Sequence, residues 1–116
     1  VETFQLAIYI AGDLERATQI CRDWVDAHPR CVTFEPVRFI YTGGEETGVR
    51  VKLINYPRFP ATPDELWLVA RALGMQLLEK LEQRSFSIVA TDRSEWYSRR
   101  EEDLPRIETE RRLTPM

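Results

Sequence analysis

The chain has 116 residues and a mass of 13.6 kDa, and its 16 basic and 19 acidic side chains give a formal charge of -3. That length fits one domain and leaves no room for a second core. No stretch approaches ~18 consecutive apolar residues, which excludes a spanning helix of ordinary length, and a pI near 5.2 argues against coating nucleic acid through bulk charge.

Residues Thr3 to Ile10 alternate, with Phe4, Leu6, Ile8 and Ile10 on one side and Gln5, Ala7 and Tyr9 on the other. A period of two predicts a strand with one buried face. Gly12 breaks it and Asp13 is placed to cap a helix. Leu14, Ala17, Cys21, Trp24, Val25 and His28 then form one helical stripe. Pro29 ends that helix by forcing the residue before it out of the helical region.

Cys31 to Tyr41 is rich in β-branched and aromatic residues. Val32 and Phe34 alternate in one register, and Val37, Phe39 and Tyr41 in the opposite one. A bulge near Pro36 on an edge strand would reconcile the two. Thr42 to Gly48 reads as a longish hairpin loop, followed by a third strand carrying Val49, Val51 and Leu53. Thr62-Pro63-Asp64-Glu65 is the clearest local signal, a capping box with proline at the first helical position. The helix it opens is expected to run to about Gln83, and Gly74 inside it signals either a close contact or a tolerated cost. Phe86 to Ala90 reads as a fourth strand, and Glu95 to Ser98 as a short fifth one after a turn.

The chain therefore divides into one α+β domain over residues 1–98 and a charged tail over residues 99–116, expected to be flexible or ordered by a partner. The order strand, helix, strand, strand, helix, strand resembles the ferredoxin-like split βαβ arrangement. That resemblance implies a four-stranded antiparallel sheet with both helices on one face, strands 1 and 3 central, and strands 2 and 4 at the edges. The other sheet face would show Tyr9, Arg50, Lys52 and Ile54, a mixed surface that is too polar for a second core.

Ile8-Tyr9-Ile10-Ala11-Gly12-Asp13-Leu14 loosely resembles the first-strand signature of RNA-recognition motifs. The resemblance implies base stacking on Tyr9, with Arg50 and Lys52 meeting phosphates. The third strand departs from that family, because Arg50, Lys52 and Ile54 stand where its outward aromatics belong. Two other aromatic-basic clusters, Tyr56/Arg58/Phe59 and Trp96/Tyr97/Arg99/Arg100, carry residue types common at interfaces. Each also has a plain packing explanation.

His28 is the only histidine, and its place before Pro29 suits a structural role at a helix end. Cys21 and Cys31 are expected to be reduced thiols. No catalytic, cofactor or metal residue set is evident from spacing. The leading expectation is thus a small non-catalytic cytoplasmic accessory protein acting through protein contacts, homo-oligomeric through its sheet face or edge strands. Two alternatives stand beside it: a module binding RNA or single-stranded DNA, and a small enzyme whose site lies between subunits.

Overall fold

The computed structural model describes residues 3–100. Five strands and two helices follow one another as β1 (Gln5–Ala11), α1 (Leu14–Ala27), β2 (Val32–Tyr41), β3 (Gly44–Ile54), α2 (Pro63–Lys80), β4 (Ser85–Ala90) and β5 (Ser94–Ser98). All pairings are antiparallel, and the sheet order is β2-β3-β1-β4-β5. The fold is therefore α+β, and the short fifth strand read at Glu95 to Ser98 joins the four expected ones in a single sheet. The short return after the turn at Thr91 to Arg93 extends the ladder, so β5 is an edge and β4 lies inside the sheet. Residues 101–116 of the expected tail lie outside the described residues. Arg99 and Arg100 do not behave as a tail: the Arg99 amide donates to the Arg84 carbonyl at 2.8 Å and continues the β4–β5 pairing.

Leu6, Ile8 and Ile10 of β1 and Val49, Val51 and Leu53 of β3 face one core with Ala17, Ile20 and Cys21 of α1 and Leu66, Ala70, Leu73 and Leu77 of α2. Both helices thus cover the same side of the sheet. The stripe read for α1 is rotated slightly. Ile20 takes a core place, and Leu14, at the exposed start of the helix, does not. Asp13 caps α1 by accepting from the Arg16 amide at 2.8 Å. Thr62 caps α2 with the reciprocal Glu65 bond of a capping box, as its sequence dictates. That helix ends at Lys80, three residues early, because Glu82 adopts a left-handed φ of 56°. The chain then turns back, with the Gln83 amide donating to the Leu78 carbonyl at 2.9 Å.

The expected bulge at Pro36 is absent. Pairing runs unbroken from Val32↔Leu53 through Pro36↔Val49 to Tyr41↔Gly44. Even positions of β2 face the helices and odd positions face the other way, so Val32 and Phe34 enter the core while Val37, Phe39 and Tyr41 serve the second face. Pro36 is tolerated because β2 is an edge strand. The expected long loop is also strand: only Thr42 and Gly43 form the turn, with Gly43 at φ 94°. Gly48 is required where β3 passes β1, because a Cβ there would lie 2.4 Å from the Ile10 carbonyl oxygen. Gly74 marks a close contact: a Cβ there would lie 2.3 Å from the Phe86 ring.

Candidate functional site

Register places Glu35, Arg50, Tyr9, Ser87 and Trp96 side by side in a row across the sheet. Tyr9 and Arg50 are therefore brought together on the face away from the helices, as read from the sequence. Their chemistry differs from that reading. The Arg50 guanidinium donates to Glu35, with Nε at 2.9 Å from Oε1, and to the Tyr9 hydroxyl at 3.3 Å. It also sits 5.9 Å from the Tyr9 ring centroid. These hydrogen bonds, to Tyr9 first and then Glu35, raise its pKa further. The charge offered to a phosphate is already balanced by a carboxylate within the sheet. Lys52 lies in the next row, opposite Ala7, and Ile54 pairs with Gln5 at the end of β1.

One end of this face forms a cleft of about 460 Å³ between the β2–β3 hairpin and the turn after α2. Tyr9, Phe39, Tyr41 and Trp96 supply aromatic surface, Glu46 and Glu82 carboxylates, and Arg84 and Arg100 cations. Three of these, Tyr9, Trp96 and Arg100, were singled out from sequence. Phe39, Tyr41, Glu46, Glu82 and Arg84 were not. The opposite alternation of Phe39 and Tyr41 was the available signal, and it was absorbed by the bulge that the structure lacks. By sequence Glu46 falls in a hairpin loop and Glu82 near the end of a helix, and neither position suggests a site.

The remaining candidates lie elsewhere. Tyr56 and Phe59 bridge to each other at the far end of the sheet, both half-buried, with Arg58 over the Phe59 ring at 5.8 Å. Burial, and then the neighbouring Cys31 thiol, raises the Tyr56 pKa. Cys31 is an exposed free thiol, and Cys21 is buried, its pKa pushed up to about 12 by desolvation. Arg99 closes the end of α2, donating to the Gln83 carbonyl at 3.0 Å and the Leu78 carbonyl at 3.3 Å. His28 is the C-cap residue of α1, and its ring stacks on Trp24 at 4.0 Å.

Tyr97 is buried on the helix side of β5, not presented to a partner. It belongs to a charged cluster that the sequence reading missed. Glu95, 4% exposed, accepts from Arg71 Nε at 3.0 Å and Nη2 at 2.9 Å, from Arg93 Nε at 3.2 Å, and from the Tyr97 hydroxyl. Arg71 and Arg93 also flank the Trp67 ring, at 5.5 and 4.1 Å from its centroid. Burial alone would raise the Glu95 pKa, but the hydrogen bonds from Arg71, Tyr97 and Arg93 outweigh it and hold it at about 2. Tyr97 moves the other way, to about 12, through burial and its bond to Glu95. The cluster pairs α2 with β5 across 24 residues of sequence, a separation that no local pattern advertises. Among the described residues no group of three His, Cys, Asp or Glu side chains converges as a metal site, and no helix is long and apolar enough to cross a membrane.

No known family and no curated protein matches the chain in sequence. Solved structures do match in shape. A phage SAM lyase in complex with S-methyl-5'-thioadenosine superposes with a TM-score of 0.65 at 14% identity, covering 83% of this chain and 89% of that one. A phage SAM lyase in the apo state gives 0.60 at 17% identity, covering 82% and 88%. At these identities the likeness is one of fold. It nonetheless corrects the leading expectation of a non-catalytic accessory protein, since the architecture from which that was read is one that a lyase uses. The expectation rests on the lack of a catalytic set at recognisable spacing, and spacing along the chain does not show side chains that separate strands bring together.

Proposed function

We propose that this chain is a small lyase of S-adenosylmethionine or a closely similar sulfonium nucleoside, acting in the cleft formed by Phe39, Tyr41, Trp96 and Glu46 and completed by a second copy of the chain. The observation that carries this reading is the near end-to-end likeness to a SAM lyase holding S-methyl-5'-thioadenosine. The strand order, with β3 and β1 inside and β2 outside, supports a ferredoxin-like frame carrying one added strand.

The cleft has the chemistry such a ligand asks for. Aromatic faces stack on a purine and attract a cation positioned above them. The sulfonium is cationic, and Glu46 and Glu82 offer it carboxylates. Breaking the bond between sulfur and the amino-acid carbon sends its electron pair to sulfur, and the charge disappears. Two routes balance that step: the fragment's own carboxylate attacks the carbon as the bond breaks, or a base removes a neighbouring proton. Glu46 and Glu82 are the bases at hand for the second. Glu82 is also the one non-glycine residue with positive φ among the described residues. Such strain clusters at functional sites. The cleft is shallow in one subunit, and a second copy against the sheet face or the β2 edge would exclude water from it.

The test is direct. Purified protein is incubated with S-adenosylmethionine and the nucleoside product followed by chromatography, with the amino-acid fragment identified by mass. We expect S-methyl-5'-thioadenosine to accumulate, and Trp96→Ala and Glu46→Gln each to lower kcat/KM by roughly a hundredfold. Light scattering on the same sample should show more than one chain per particle. The absence of both turnover and nucleoside binding would overturn the reading.

A further inference from the structure

We propose that Glu95, together with Arg71 and Tyr97, is a positioning residue for the cleft, fixing the Trp96 indole from the opposite face of the sheet. The inference rests on the reading of the cleft given above and adds to it the device that sets one of its walls.

The argument begins with strand geometry. Successive side chains of a strand point to opposite faces. In β5, Glu95 pairs with Ile88 and Tyr97 with Phe86, both core residues beneath the helices, while Trp96 pairs with Ser87 on the open face. The two neighbours of the cleft tryptophan are therefore both held below the sheet. Glu95 is gripped by two nitrogens of Arg71, the planar fork that fixes direction as well as distance. The Tyr97 hydroxyl donates to Glu95 and receives Arg71 Nε at 2.9 Å, and its ring stacks on Phe86 at 5.0 Å. An edge strand of five residues has ladder bonds on one side only. Strands at an edge ordinarily fray most readily. Here a charged clamp from α2 pins the backbone on both sides of Trp96, so the indole meets a ligand already in place, which lowers the ordering cost of binding.

The clamp is not explained by stability alone. Well-packed apolar residues serve a buried site at least as well as an ion pair does, whereas an ion pair with fixed geometry specifies one arrangement. A carboxylate directly adjacent in sequence to a cleft residue is the arrangement expected if geometry at that position is what matters.

The experiment uses 5-fluorotryptophan-labelled full-length protein and S-methyl-5'-thioadenosine. The chain has three tryptophans, so fluorine NMR gives three lines, and the Trp96 line is the one missing from Trp96→Ala. In Glu95→Gln we expect that line to shift and broaden while the Trp24 line stays in place. Calorimetry should show nucleoside affinity falling roughly tenfold in Glu95→Gln, with no further loss when Trp96→Ala is already present, since residues acting as one unit are non-additive. A merely structural role would give additive losses and an unmoved Trp96 line, and either result would overturn the proposal. If Glu95→Gln does not fold, Tyr97→Phe removes only the hydroxyl that joins Glu95 to Arg71 and is read in the same way. If the wild-type protein binds no nucleoside, the reading of the cleft fails, and the fluorine line alone still decides the positioning role.

Discussion

Glu82 shows how a single residue can serve two demands that conflict. It ends α2 in the left-handed region, where glycine is the usual occupant and a side chain carries a steric cost. Its carboxylate also lines the cleft. Glu82→Gly should therefore raise stability by about 1 kcal/mol, visible as a higher urea midpoint with an unchanged slope. The same variant should lose the lyase activity proposed for the cleft. Equal or lower stability would mean that the turn does not strain the chain. Gly48 and Gly74 illustrate the reverse case, where the absence of a side chain lets a backbone or the Phe86 ring approach closely. Arg50 is different again. By sequence it is a candidate to meet phosphate, and the structure pairs it with Glu35, a partner fifteen residues away on the neighbouring strand.

At the scale of elements, what was legible was what is local. The β1 alternation, the Asp13 cap and the Thr62 capping box each sit within a few residues of the feature they cause. The capping box satisfies two amides at the start of an 18-residue helix, and its backbone bonds lower the Glu65 pKa. Thr62→Ala should cost about 1 kcal/mol, read as a lower melting temperature, and Thr62→Ser should restore most of it. What was illegible was set by pairing. Gly44 to Gly48 carry glycine and glutamate, poor strand residues by themselves, and become strand because β2 lies beside them in register. Phe39 and Tyr41 looked like a slipped register because a core on one face was assumed. A second apolar surface explains the same alternation without a slip. The cleft was hidden for that reason, and the Arg71–Glu95 clamp because its halves belong to different elements. Only Trp96 and Tyr97, which follow Glu95 in the chain, stand out in the sequence.

For the molecule as a whole, the buried cluster ties stability to acid. The Glu95 pKa is lowered from its ordinary 4.5 to about 2 in the folded chain. Folding therefore gains from its ionisation above pH 4.5, and that gain is lost as pH falls through the folded value. The full contribution at neutral pH is on the order of 3 kcal/mol. Urea unfolding followed from pH 7 to pH 2 should show stability falling below about pH 4.5. Glu95→Gln should start lower and fall less, so the two curves converge toward acid. Parallel curves would mean that another carboxylate governs the acid limb. Arg71, which grips Glu95, stays charged throughout this range, and Tyr97 stays protonated and able to donate.

The alternation of β5 also guards against error. Were this strand to pair with β4 one residue out of step, the bulky indole of Trp96 would be driven under α2. The carboxylate of Glu95 and the phenol of Tyr97 would be turned out of their pocket at the same time, leaving Arg71 without its partner. Both faces would object to the same mistake. Few exposed edges carry such a check. Here it makes β5 self-correcting: it either docks in the one register that satisfies both sides of the sheet, or it does not dock.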